Sequence, residues 1–405
     1  MTDTDSSRQT AMGILVSISL CHLLNDMLQI LVPSIYPVIA QEFALDFTRV
    51  GLITLVHQLM SSVLQPLVGL YNDRHPRPYA LVAGMAATLA GVVLLSRAAS
   101  YPALLAAVAL MGLGNSILHP ESSRVARMAS GGQHGLAQSL FQLGGNFGSA
   151  LGPLLAVFVV LPLGRGGILW LSGAALVGIV LLFQVARWST GHAGAPGNRT
   201  PDRASRPAVS HPRAVLAVTV LLTLLFSKFF YMASMSNFFT FYLMSKFGIG
   251  TEEAQLRLFI FMGAVAAGTI IGGPVGDRIG RKRVIWGSIL GVLPFTLLLP
   301  HANLWWTGVL TIPIGLILAS AFSAIVVYGQ ELLPNRVGTV AGLMMGFAFG
   351  MGGIGASVLG WLADQTGIDV VYHLCSFLPL LGLLTAFLPD IERKRGGEAA
   401  QNAAA

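Results

Sequence analysis

The chain has 405 residues, of which 54% are hydrophobic and 10% charged; its mean hydropathy is +0.72 and its formal net charge +7. A soluble domain carries about 25% charged residues, so these figures exclude an ordinary soluble globular protein and point to an integral membrane protein. The positive balance would suggest nucleic acid in a soluble chain, but here the basic residues stand beside the ends of apolar segments, as they do in oriented membrane proteins.

The opening MTDTDSSRQT is polar and holds one arginine. It lacks the basic start and cleavage site of a signal peptide, so the first apolar segment is expected to stay in the protein. A helix needs about 20 apolar residues to cross a bilayer. Twelve segments qualify, near 11–40, 48–71, 79–97, 102–126, 134–162, 166–188, 214–245, 252–275, 283–300, 304–332, 338–363 and 369–389. Pro33, Pro37 and Pro313 are expected bends. Residues 189–213, with GHAGAPGNRTPDRASRP at their heart, read as a flexible cytoplasmic linker. They separate an N-terminal six-helix bundle, 1–188, from a C-terminal bundle with a short cytoplasmic tail, 214–405. With the N-terminus inside, most of the 24 lysines and arginines fall in cytoplasmic segments. Both termini are therefore expected in the cytoplasm.

Charges inside apolar segments come next in the chain. Asp26 lies midway along the first span and Lys228 midway along the seventh, matching places in the two halves. A charge at bilayer depth costs about 2.5–3.5 kcal/mol and commonly marks a transport path. His22, Asn25, Asp26, Gln29, Pro33 and Tyr36 recur at helical spacing, so they form one face turned toward protein or a wet cavity. Interhelical hydrogen bonding alone is the competing explanation. Lys228, Tyr231, Met235, Phe238 and Tyr242 form a similar face, in which the lysine could hold an anionic group and pair with Asp26 when no cargo is bound.

The fourth span brings Asn115 and His119-Pro-Glu-Ser-Ser-Arg124. Glu121 either exchanges protons or pairs with arginines as an inner latch. In the fifth span His134, Gln138, Gln142 and Asn146 stand four residues apart. Amides and imidazoles of this kind supply hydrogen-bond donors and acceptors for a polar group. Gly144, Gly148 and Gly152 repeat every four residues there, as Gly342, Gly346 and Gly350 do in the eleventh span, a spacing that permits close helix approach. Cys21 and Cys375 both fall in apolar segments and read as packing residues. No GxxxxGK[ST] phosphate loop occurs, so ATP drive is not expected; the two cysteines lend no support to a disulfide or metal site, and no cofactor is expected.

Gly69-Leu-Tyr-Asn-Asp73-Arg74 follows the second span. Gly273-Pro-Val-Gly-Asp277-Arg278 follows the eighth, about half the chain later. Parallel repeats about an axis along the membrane normal are a carrier architecture. GGPVGDRIGRKR, Gly272 to Arg283, resembles the signature loop of the major facilitator superfamily. The first-half copy, DRHPRP, has Pro76 where the family has glycine. LHPESSRVARMASGGQHGLAQSLFQLGGNFGSALGP (Leu118 to Pro153), HLLNDMLQ (His22 to Gln29) and FSKFFYMAS (Phe226 to Ser234) resemble the fosmidomycin resistance proteins. GSALGP resembles the fifth-helix antiporter motif, although Ala156 stands where that motif continues with glycine.

The resemblance implies an all-α integral membrane protein of twelve transmembrane helices in two pseudo-symmetric six-helix bundles. It also implies an inner-membrane exporter of a small phosphonate antibiotic, proton-linked and working by alternating access. Lys228, His22, Asn25, Gln29, His119, Gln142, Asn146 and Tyr231 are then the expected cargo contacts, and Asp26 and Glu121 the proton-coupling carboxylates. Asp73, Arg74, Asp277, Arg278, Arg281 and Glu331 are expected at cytoplasmic gates. The expected partners are an anionic small molecule, protons and lipid, with no nucleic acid, and the chain is expected to be a monomer. Two alternatives stay open: a carrier taking up or exchanging another organic anion or metabolite, and an intramembrane hydrolase built on His119 with Ser122 or Ser123. The second lacks a nucleophile motif.

Overall fold

The computed structural model describes residues 11–74, 77–131, 134–192, 211–333 and 337–389. Among these residues every regular element is helical, and twelve segments are long and apolar enough to cross a membrane. The first half contains α1 (Met12–Ser34), α2 (Tyr36–Phe43), α3 (Phe47–Arg74), α4 (Ala80–Arg97), α5 (Tyr101–Met128), α6 (His134–Leu155), α7 (Leu161–Leu163) and α8 (Ile168–His192). The second half contains α9 (His211–Phe247), α10 (Thr251–Ile279), α11 (Arg281–Ile289), α12 (Leu293–Leu298), α13 (Leu304–Leu332), α14 (Val337–Thr366) and α15 (Ile368–Cys375). A 3₁₀ segment, Leu378–Phe387, completes the last span. The expected linker falls largely outside the described residues.

Three spans expected as single helices are interrupted, and the interruptions follow proline chemistry. Proline has no amide hydrogen and its ring crowds the carbonyl four residues earlier. The first span breaks at Ile35, between Pro33 and Pro37. The ninth gives way after Ile289 and restarts with Pro294 in the first turn of α12. The twelfth ends as α-helix at Cys375, just before Pro379. Beyond Pro153, α6 loosens into a five-residue π-helix, Ala156–Val160. Pro313, by contrast, is accommodated within α13.

Contacts divide the chain into two compact units. One comprises residues 1–199, 235–259 and 352–368, the other 200–234, 260–351 and 369–405. In the first unit α1 packs along α6, and α5 against α3 and α4. Glycines make the α1–α6 seam close: a side-chain carbon at Gly144, Gly148 or Gly152 would collide with Ser19, Leu23 or Ile30. Gly346 and Gly350 of the eleventh-span repeat behave differently, since a side-chain carbon at either meets nothing within 4 Å. In the second unit the core gathers Leu221, Leu224, Leu225, Ile285, Ile289, Ile325, Tyr328 and Leu332. Trp170, Phe158, Trp305 and Trp361 are among the exposed large apolar side chains, as suits faces turned to lipid. Cys21 and Cys375 are buried and free.

Candidate functional site

The polar face of α1 is the centre of a network in the first unit. Asn25 is 1% exposed, and His22 and Gln29 are 7% exposed, so their polar atoms need protein partners. The Asn25 amide donates to Asn115 Oδ1 at 2.7 Å, and the Asn115 amide donates in turn to Ser61 Oγ at 2.7 Å. Gln29 donates to the Met111 carbonyl at 3.1 Å and to Asn25 Oδ1 at 3.2 Å, and accepts from His57 Nε2 at 2.7 Å. His22 Nδ1 donates to the Phe141 carbonyl at 2.7 Å, and its ring stacks on Phe141 with centroids 4.0 Å apart. Four helices, α1, α3, α5 and α6, thereby converge on one polar centre.

Asp26 sits within it. Its Oδ2 is 3.2 Å from His22 Nε2, its Oδ1 is 3.5 Å from His119 Nε2, and Asn25 donates to Oδ1 at 3.1 Å. Helical spacing explains the first contact, since residues four apart share a face; tertiary packing of α5 supplies the second. Gly145 of α6 lies directly over the group. A side-chain carbon there would stand 2.9 Å from Asp26 Oδ2 and overlap the His22 ring.

Lys228 belongs to the second unit and has different surroundings. It is 4% exposed, with Nζ 3.5 Å from the Ala319 carbonyl, 5.2 Å from the Phe322 ring centre and 5.6 Å from that of Phe229. Phe229 also meets Phe322 and Phe349 edge-on. The lysine is therefore a cation walled by aromatic faces, with no carboxylate within 4 Å among the described residues. The sequence reading pairs Asp26 with Lys228; the partners that the structure gives each of them come from its own unit.

The remaining expected residues are distributed as follows. Tyr231 is buried on α9. Gln142 is exposed and Asn146 partly buried, and neither has a hydrogen-bond partner in the network. Glu121 is buried and paired with Arg124 across one helical turn. Arg281 is partly buried at the start of α11. The side chains of Asp73, Arg74, Asp277, Arg278 and Glu331 lie outside the described residues, as do those of His134 and Gln138.

Several polar residues escaped the sequence reading. His57, Thr88 and Ser61 complete the network, and an imidazole inside the second span was a signal for the first of them. A second cluster lies at the Ser34 end of α1. Asp364 of α14 accepts the backbone N–H groups of Phe47 and Thr48 at 2.9 and 2.7 Å, and the Thr48 hydroxyl as well. A carboxylate there caps the N-terminus of α3, where unpaired amides and the helix dipole favour an anion. Nearby, Gln255 donates to the Ser34 carbonyl, and Tyr36, Thr54 and Asn237 form a buried hydrogen-bonded chain. Gly51 and Gly360 bring the backbones close, against Ala356 and Phe47 respectively.

Comparison with known proteins follows from this architecture. The model of the Major Facilitator Superfamily matches residues 18–251 and 224–404. The chain is 60% identical to the fosmidomycin resistance protein of Escherichia coli (strain K12), over 95% of each chain. It is 40% identical to the uncharacterized MFS-type transporter YfnC of Bacillus subtilis (strain 168), again over 95% of each. Among solved structures, the nucleoside transporter NupG superposes with a TM-score of 0.71 at 13% identity, covering 94% of this chain and 99% of that one; the likeness supports the fold. The chain is thus a multi-pass membrane transporter, a carrier rather than an enzyme, and it belongs to the Major Facilitator Superfamily.

Proposed function

We propose that this transporter exports a small anionic compound of the fosmidomycin type across the bacterial inner membrane, by alternating access and at the expense of the proton gradient. In this reading two six-helix lobes, 1–188 and 214–405, rock about the 189–213 linker, with both termini in the cytoplasm. The observation that carries the anion is Lys228. A buried charge without a counter-charge is costly, and removing a carboxylate from its reach makes sense where the cargo itself supplies the negative group. The 60% identity to the fosmidomycin resistance protein of Escherichia coli supports the cargo class. His22, Asn25, Gln29, His119, Gln142, Asn146 and Tyr231 remain proposed polar contacts, and Glu121 with Arg124 a proposed inner latch. With the N-terminus inside, the Asp364 cluster falls at the outer end of the helices and acts as the outer latch.

The test is drug susceptibility in a pump-deficient host, with flux in inverted vesicles under an imposed pH gradient. Parent protein should confer fosmidomycin resistance and accumulate the drug in such vesicles. Lys228→Ala should lose both at equal expression. Uptake or exchange of another organic anion, with no drug flux in the parent, would replace export by the alternative carrier reading.

A further inference from the structure

His22 presents a difficulty that hydrogen bonding within the protein does not resolve. Its Nδ1 donates to the Phe141 carbonyl, which leaves Nε2 as the ring nitrogen turned toward Asp26. That nitrogen is buried and has no hydrogen-bond partner, yet it stands 3.2 Å from a carboxylate oxygen without the alignment of a hydrogen bond. Two such atoms in a low-dielectric interior are held together by a positive charge between them, supplied by a proton on the ring or by a bound metal ion. His119 turns a third donor toward the same point: its Nε2 is 3.5 Å from the other Asp26 oxygen, and the ligand atoms of the three residues all lie within 4.8 Å of one another.

The two spacings to Asp26, 3.2 and 3.5 Å, are those of neighbouring ligands in a coordination shell. Bonds of about 2.0–2.2 Å from nitrogen and oxygen to a zinc-like ion place neighbouring ligand atoms about 3.0–3.5 Å apart. Two imidazoles and one carboxylate are the donor set favoured by divalent transition metals, and three protein ligands leave positions open. The outer partners are of the kind such sites use: a carbonyl holding Nδ1–H of His22 and an amide on Asp26 Oδ1. Gly145 keeps the space beside Nε2 and Oδ2 clear, where any side-chain carbon would intrude.

We infer that His22 Nε2, the Asp26 carboxylate and His119 Nε2 form a binding site for one divalent transition-metal ion of the zinc or cobalt type. The site is built entirely within the first unit and does not include Lys228, although it draws on His22 and His119, two of the proposed cargo contacts. Full-length untagged protein in detergent, stripped with chelator, would be titrated with Co²⁺ while its visible ligand-field bands are followed, and then with Zn²⁺ in competition. One equivalent of Co²⁺ is expected to give the spectrum of a nitrogen–oxygen site, to be displaced by Zn²⁺, and Zn²⁺ should raise the thermal unfolding temperature. His119→Gln, at a partly exposed position and checked by its metal-free melting curve, should weaken binding by more than about 100-fold, the upper range seen when only an outer-shell partner is lost. His22→Gln should do the same where it folds, as judged by its metal-free melting curve. A double variant of His301 and His373, whose rings meet 5.1 Å apart, should bind as the parent does. No stoichiometric binding by the parent, or binding that survives His119→Gln and disappears in the His301/His373 variant, overturns the assignment and leaves the cluster to protons and hydrogen bonds alone.

Discussion

Asp26 and Lys228 are both intramembrane charges, but the protein treats them oppositely. Asp26 is surrounded by groups that can be cationic or can donate. Lys228 has aromatic faces and a carbonyl, which tolerate a cation without neutralising it. This asymmetry decides the outcome of exchanging them. In Asp26→Lys with Lys228→Asp, a carboxylate at position 228 would face the Ala319 carbonyl, and an ammonium at 26 would face His22 and His119. We therefore expect the exchange to leave resistance at the level of the Lys228→Ala single variant. Recovery to parental resistance would show instead that the two groups meet directly during the cycle. At the seam of α1 and α6, Gly148→Leu should destabilise the protein by about 1–3 kcal/mol, because the added carbons have only the Leu23 backbone to push against. A thermal unfolding curve of the purified variant measures this, and an unchanged midpoint would contradict the packing described.

Helices in this protein are joined at their ends by contacts that can be made and broken singly. Asp364 supplies two amide caps and a hydroxyl contact to α3, with Thr54 and Asn237 hydrogen-bonded nearby. Losing a cap costs about 0.5–2 kcal/mol, so Asp364→Ala should raise the open-to-closed ratio of this end by about 2- to 30-fold. A cysteine replacing buried Thr54, in a background lacking Cys21 and Cys375, reports it: alkylation from the outside should be faster in the Asp364→Ala variant. Equal rates would remove the latch. The interrupted ninth and twelfth spans belong to the same scale. Where α11 and α15 end, proline removes a backbone bond and the chain continues as shorter helical pieces.

Across the whole molecule, energetics bear on direction. Moving one elementary charge through the membrane potential is worth about 2.3 kcal/mol per 100 mV, so expelling an anion from a negative interior is downhill in that component. Proton entry in exchange would move charge in the same favourable sense, whereas proton and monoanion leaving together would move none. Export by exchange therefore predicts that collapsing the potential with valinomycin and potassium, at constant pH gradient, lowers drug flux in inverted vesicles. Flux indifferent to the potential would favour electroneutral co-transport. Orientation has its own check: reporters fused to either end should be active only in their cytoplasmic form, since an inside N-terminus places most basic residues on that side.

Segment number, all-helical class and repeat were legible in the amino-acid order, because the bilayer demands long apolar helices and writes that demand into local composition. The polar stripe His22–Asn25–Asp26–Gln29 was legible for the same reason: helical periodicity is a local property. What meets that stripe was not. His119 was expected at the same site, but its contact with Asp26, the Asn25–Asn115 bond and the presence of His57 come only from the packing of α3 and α5, and Asp364 finds the start of α3 from more than 300 positions away in the chain. Partner choice among buried charges depends on which helices touch and how closely their glycines let them approach, and only the folded arrangement decides that. Hence the chain by itself announced a carrier with two intramembrane charges, while tertiary structure set the carboxylate among imidazoles and the amine among aromatic rings.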